Sequence, residues 1–161
     1  MVLKCNQFLW IPVFEMNSRK NMEGQPCPVA RSVDVVGDRW SLLVVRDAFD
    51  GVRRFSDFQR SLGVARNILS DRLRRLVDAG ILANQPASDS SAYQEYVLTE
   101  QGKSLFPVVV ALRQWGERHL YADGERHSEL VDKRTGKPLH AMAPQSADGH
   151  VVSSDDTEIR K

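Results

Sequence analysis

Residues 56 to 80 join two amphipathic segments through a single glycine, and this junction constrains the fold more than any other stretch of the chain. In "SDFQRSL" Phe58 and Leu62 lie four apart on one helical face, and Ser56 with Gln59 fits a capping box, which predicts a helix over about 56–62. Gly63 permits a sharp turn because it carries no Cβ. Beyond it Ile68, Leu69, Leu73, Leu76 and Val77 recur at three- and four-residue intervals until Gly80, predicting a helix over 65–79 with an apolar face.

The flanks supply the rest of a core. "PVARSVDVVG" opens with Pro28, tolerated in a first turn, and carries Val29, Val33 and Val36 at helical spacing before Gly37, so a helix is expected over 28–36. "DRWSLLVVRDAFDG" puts Trp40, Leu43, Val44 and Ala48 on one face of a second helix that ends at Gly51. Downstream, β-formers at both ends of "ILANQPASDSSAYQEYVLT" flank a Pro, Ala, Ser and Asp cluster, the pattern of a hairpin with a long tip. Thr99 then caps a long helix whose stripe is Leu105, Val108, Val109, Leu112, Trp115 and His119, with Pro107 expected to bend it near its start.

A length of 161 residues suits one domain with tails. That domain is expected over 27–121, with a flexible extension over 1–26 and a polar, partly hairpin-like appendage over 122–161 whose end, "SSDDTEIRK", reads as disordered. The opening "MVLKCNQFLWIPVFE" has one early lysine and no small-residue cleavage site, which argues against a signal peptide, and Met16 and Met22 stand as alternative starts. No run of 18 apolar residues is present to span a bilayer, and two cysteines, Cys5 and Cys27, are too few for a secreted disulfide framework, so a reducing cytoplasm is the expected compartment.

Helix, helix, helix, turn, helix, hairpin is the order of a winged helix-turn-helix, a mainly α (α+β) fold. Such a unit lays its second helix in the DNA major groove, which requires an apolar face behind and a polar, cationic face ahead. The net charge of +1 conceals the second requirement: residues 46 to 75 hold eight arginines against four aspartates. Arg66, Asn67 and Ser70 occupy the first turns of the 65–79 helix, the end that reaches base edges, and Arg53, Arg54, Arg74 and Arg75 are candidates for the phosphate backbone. Ser56 joins the DNA-facing set. Arg72 and Asp78 are left off the base-reading set, since pairing with charges of the chain itself is as open to them as DNA. From Leu76 to Gly102 there is no Lys or Arg, so wing contacts fall to Ser88, Ser90, Ser91 and backbone N–H groups.

These segments, with the Cys-Pro start, Gly-x-x-Trp, Arg-Phe-x-x-Phe, Leu-Ser-x-Arg-Leu-x-x-Leu and Tyr-x-Leu-Thr-x-x-Gly, resemble the HxlR-type winged-helix transcriptional regulators, relatives of the MarR group, over residues 27 to about 119. The resemblance implies a homodimer on operator DNA, with recognition through 65–79 and dimer contacts from 28–36 and 100–119. Two positions depart from it: Ala65 and Arg66 stand where many relatives have serine and proline, and the wing lacks the arginine that relatives commonly carry.

No catalytic constellation, cofactor motif or metal-ligand spacing is present: His119, His127, His140 and His150 are scattered outside the central unit. A non-enzymatic protein with no cofactor is expected. Cys27 precedes a helix N-terminus, where the dipole favours anions, and relatives of this type sense oxidants or electrophiles through a matching cysteine; the plain reading is a small inert hydrophobe. Trp40 and Trp115 lie on stripes expected to converge, as ordinary core or as the wall of a small-ligand pocket. The rival to DNA binding is a winged-helix protein-interaction dimer that has lost it.

Overall fold

The computed structural model describes residues 22, 24–87, 89 and 92–160. Helix α1 spans Pro28–Val36 and α2 Arg39–Phe49. Helix α3, Phe55–Leu62, leads through Gly63 into α4, Arg66–Asp78. Strands β1, Leu82–Pro86, and β2, Gln94–Leu98, pair antiparallel with Leu82 opposite Leu98 and Pro86 opposite Gln94. The short α5, Glu100–Lys103, and α6, Phe106–His119, complete the domain. This is the winged helix-turn-helix order expected from the sequence.

The core lies where α2, α3, α4 and β1 meet. Val44, Val45, Phe58, Leu69, Leu73, Leu76 and Leu82 are all but sealed from solvent, joined by Val36, Val64 and Ile81. Gly63 closes α3 in the left-handed conformation at φ 60°, its N–H donating to the Gln59 carbonyl, which turns the chain from α3 into α4 at no Cβ cost. Asp38 organises the opposite end of the unit. Its Oδ1 accepts from the backbone N–H groups of Trp40 and Ser41, at 3.1 and 3.2 Å, its Oδ2 accepts from Ser41 Oγ, and Arg72 Nε of α4 lies 2.9 Å from Oδ1. Burial alone would raise the Asp38 pKa, but the Ser41 hydroxyl and N–H, the Arg72 charge and the Trp40 N–H outweigh it and hold the carboxyl below the usual aspartate range.

A clasp fastens the wing to α5. Thr99 Oγ1 donates to the Gly80 carbonyl at 2.5 Å and accepts from the Gly102 N–H at 3.0 Å, while the Thr99 N–H donates to the Ile81 carbonyl. A Cβ at residue 102 would come within 2.1 Å of the Ile81 oxygen, which is why glycine is needed three residues after the threonine.

Three local expectations are corrected. The Ser56–Gln59 capping box does not form: α3 begins one residue earlier, with Arg54 at the N-cap and no side-chain cap bond, so Ser56 lies inside the first turn. The helix expected after Thr99 is two helices, because the chain turns at Ser104 and Leu105 and Pro107 stands in the first turn of a new helix rather than at a bend. Ile68 is exposed, so the buried stripe of α4 is Leu69, Leu73 and Leu76.

Helix α6 buries Val110 and leaves Val108, Leu112 and Trp115 between 45 and 56% exposed, beside Phe106, while Val29 and Val33 of α1 are exposed as well. The appendage runs along α6 on side-chain bonds: Gln114 Nε2 donates to the His140 carbonyl, Gln114 Oε1 accepts from the Met142 N–H, and Arg113 bonds to Ser128. Its chain makes single bridges, Val131 to Pro138 and Gln145 to Val151. Within the stretch expected to be disordered, Ser154–Asp156 forms a 3-10 turn with Ser153 and Asp156 capping each other.

Candidate nucleic-acid interface

Helix α4 is held from behind by its three leucines, which fixes what faces outward. Arg66, Asn67 and Ser70 are all exposed on its first turns, and Ala65, the N-cap, makes no side-chain bond. Arg66 lies over the Phe55 ring, with its guanidinium carbon 5.1 Å from the centroid, a cation–π contact that orients a long side chain without neutralising it. Ser56 is exposed beside it on α3. The C-terminal half of α4 differs in charge. Asp71 sits 2.8 to 2.9 Å from Arg72, Arg74 and Arg75, so three arginines share one carboxylate. Arg72, only 14% exposed and paired to Asp38 as well, is a structural tie between α4 and α2, the in-chain pairing that the sequence left open.

The wing carries acid where cations were sought. Glu95 of β2 is buried, with Oε2 3.8 Å from Arg53 Nη1 and Oε1 3.9 Å from Arg54 Nε. Asp89, at the tip, makes a direct hydrogen bond to Arg54 Nη2 that holds the Arg54 pKa above its usual value. The Tyr96 N–H donates to the Arg53 carbonyl at 2.8 Å, so the loop before α3 is bonded to the wing through its backbone too. Sequence reading assigned Arg53 and Arg54 to the phosphate backbone and missed their acidic partners; the only available signal was that Asp89 and Glu95 are the charges of an otherwise cation-free hairpin.

Arg54, Phe55, Ser56, Arg66, Tyr93 and Gln94 line a cleft of about 470 Å³ between the start of α3, α4 and the wing. It joins three of the expected DNA-facing residues, Arg54, Ser56 and Arg66, to two that the sequence did not single out, Tyr93 and Gln94. Ser90, with Ser88 and Ser91, lies outside the described residues.

Cys27 is exposed at the N-cap of α1 and makes no side-chain cap bond. Trp40 packs against the core with Arg39 over its ring, whereas Trp115 is exposed next to His119. Neither ring lines the two clefts beside α6, whose walls are drawn from α2, α6 and the appendage. No helix of the described residues is long and apolar enough to cross a membrane, and no group of three metal-ligating side chains is found among them.

The pattern of the HxlR-like helix-turn-helix family matches residues 35–124. The chain belongs to that family. An uncharacterised HTH-type transcriptional regulator of Mycobacterium tuberculosis (strain H37Rv) is 48% identical over 92 residues, covering 57% of this chain and 58% of its own length. The chain thus spans less than two thirds of that relative. The crystal structure of PA1607, described as a candidate transcription factor, is 46% identical and superposes with a TM-score of 0.84 over 87% of this chain and 98% of its own. The redox regulator HypR in its reduced form is 32% identical, with a TM-score of 0.54 over 58% of this chain and 94% of its own. These HxlR-like relatives are regulators of transcription built on a winged helix, and the family motifs fall on the cap of α2, the α3–α4 unit and the Thr99–Gly102 clasp.

Proposed function

We propose that the chain acts as a homodimeric, sequence-specific DNA-binding transcription regulator whose α4 enters the major groove. The observation that carries this reading is the division of α4: its apolar side is used up in the core, and Arg66, Asn67 and Ser70 are left exposed together at the end that reaches base edges. Asn pairs bidentately with adenine and Arg with guanine, and Arg53, Arg54, Arg74 and Arg75 would hold the phosphate backbone. Dimerisation is supported by the exposed apolar faces of α1 and α6, which a soluble monomer has no reason to keep in one run. Fluorescence anisotropy on the promoter fragment of its own gene, at two salt concentrations, tests the reading. Binding should fall steeply with salt, and Arg66→Ala should cost about 1–3 kcal/mol on the operator and little on random DNA. Equal losses on both duplexes would make Arg66 a phosphate contact.

Control through oxidation or electrophile modification of Cys27 is supported by its exposure at a helix N-cap and by the similarity to HypR, a redox regulator. Diamide should release wild-type protein from DNA and leave Cys27→Ala bound; equal release of both would exclude the thiol. A small-ligand inducer is the other mode of control; since neither Trp40 nor Trp115 lines the clefts beside α6, its seat would be one of those clefts rather than a pocket between the tryptophans, and thermal stabilisation by candidate ligands tests it. The rival reading, a protein-interaction dimer, is favoured by the acids that meet Arg53 and Arg54, and absence of salt-sensitive DNA binding would select it.

A further inference from the structure

The acids that favour the rival reading also bear on how DNA would be held. We infer that the cleft between the start of α3, α4 and the wing is a seat for one DNA phosphodiester, and that the wing-tip carboxylate of Asp89 holds that place on Arg54 in the DNA-free protein. The inference rests on the DNA-binding reading and adds a specific occupant and an exchange.

The lining is suited to a phosphate and to little else. Arg54 supplies a guanidinium group, Ser56, Tyr93 and Gln94 supply hydroxyl and amide donors, and no carboxylate is among the described lining residues. A carboxylate and a phosphodiester both offer a guanidinium two acceptor oxygens in a fork, so the Arg54–Asp89 hydrogen bond has the form of the contact that DNA would make. The two acids on Arg54 are not equivalent. The Glu95 side chain is 5% exposed within β2, whereas that of Asp89 is 52% exposed on the tip, where solvent reaches it. Glu95 is therefore the permanent anchor that orients the arginine, and Asp89 the exchangeable group. Arg66, stacked on Phe55, also lines the cleft and adds positive potential there while remaining free to read a base. A wing that enters DNA this way needs no cation of its own, which accounts for the absence of Lys and Arg from residue 76 to residue 102.

Each phosphate neutralised contributes about 0.9 to the salt slope of binding, and an exchange leaves Arg54 on the same phosphate with or without Asp89. Anisotropy on a random-sequence duplex across a salt series reads both affinity and slope for wild type, Asp89→Asn, Arg54→Gln/Asp89→Asn, and Asp123→Asn, a charge-matched control on the exposed appendage. Asp89→Asn should tighten binding about two- to fivefold at low salt, the scale of an exposed ion pair, with a slope close to that of wild type, whereas loss of Arg54 in the double variant should lower the slope by about 0.9. The double variant should lose the gain, and thermal melting should show all four folded. The inference is overturned if Asp89→Asn binds no tighter than Asp123→Asn, or if its gain persists without Arg54. Failure of every form to bind DNA in a salt-dependent way would overturn the DNA-binding reading itself, and this inference with it.

Discussion

Helices α4 and α6 have nearly the same length, 13 and 14 residues, and both carry an apolar stripe at helical spacing, yet the two stripes end up in opposite situations. Leu69, Leu73 and Leu76 of α4 vanish into the core, while Val108, Leu112 and Trp115 of α6 face outward with only Val110 covered. A stripe measures how much apolar surface a helix must hide and says nothing about which chain hides it. In α4 the neighbours are α2, α3 and β1, and the helix belongs to the fold; in α6 the inner neighbour covers one side, and the other side is available to a second copy.

That contrast can be broken most forcefully at Leu73. Leu73→Ala removes a fully buried side chain and should cost about 3–4 kcal/mol, read as an earlier midpoint in urea unfolding that does not depend on protein concentration. Trp115→Ala should do the reverse. Stability of the isolated fold should change by less than about 0.5 kcal/mol, and self-association, measured by sedimentation equilibrium, should weaken by about 2 kcal/mol, the loss typical of an aromatic anchor at an interface. A Trp115→Ala protein that associates as tightly as wild type would remove α6 from the dimer contact. The smallest effect sharpens the comparison from the polar side, because α4 is tied to α2 through an ion pair and α6 to the appendage through hydrogen bonds of Arg113 and Gln114. Asp38→Asn keeps a capping side chain but removes the carboxylate from Arg72, and should cost about 1 kcal/mol at neutral pH. Since the folded pKa of Asp38 is depressed, the carboxylate's contribution is fully present above the ordinary aspartate value of 3.8 and is lost as pH falls through the folded value. Wild type and variant should therefore converge in acid.

Local signals were legible in the sequence to the extent that their causes were local. Pro28, the valine spacing and Gly37 mark α1 at its observed ends, and Gly63 and Gly80 delimit α4 to within a few residues. The misread caps show the limit. Ser56 satisfies a capping pattern, but Phe55 packs against the core and supports Arg66, which draws the helix back by one residue and places the serine inside it. The break before Pro107 was read as a bend because the stripe continues across it, whereas the close approach of Gly102 to Ile81 ends the first piece early. For the candidate site, the α4 residues were legible because one helix presents them. The acids on Arg53 and Arg54 were not, since Glu95 lies about forty residues downstream and only the fold of the hairpin brings the two together.

In the proposed dimer the clasp of Thr99 and Gly102 would also set the geometry of the operator. It leaves no slack between the exit of α4 and the start of the segment leading to α6, so in a dimer built on α6 the two recognition helices stand at a set pitch, like the points of a locked caliper. The number of base pairs between half-sites would then be set at residues 99 to 105, outside both the wing and the recognition helix. One residue gained between α5 and α6 would re-aim α6 relative to the wing and leave the protein, with every base-reading side chain intact, measuring the wrong distance.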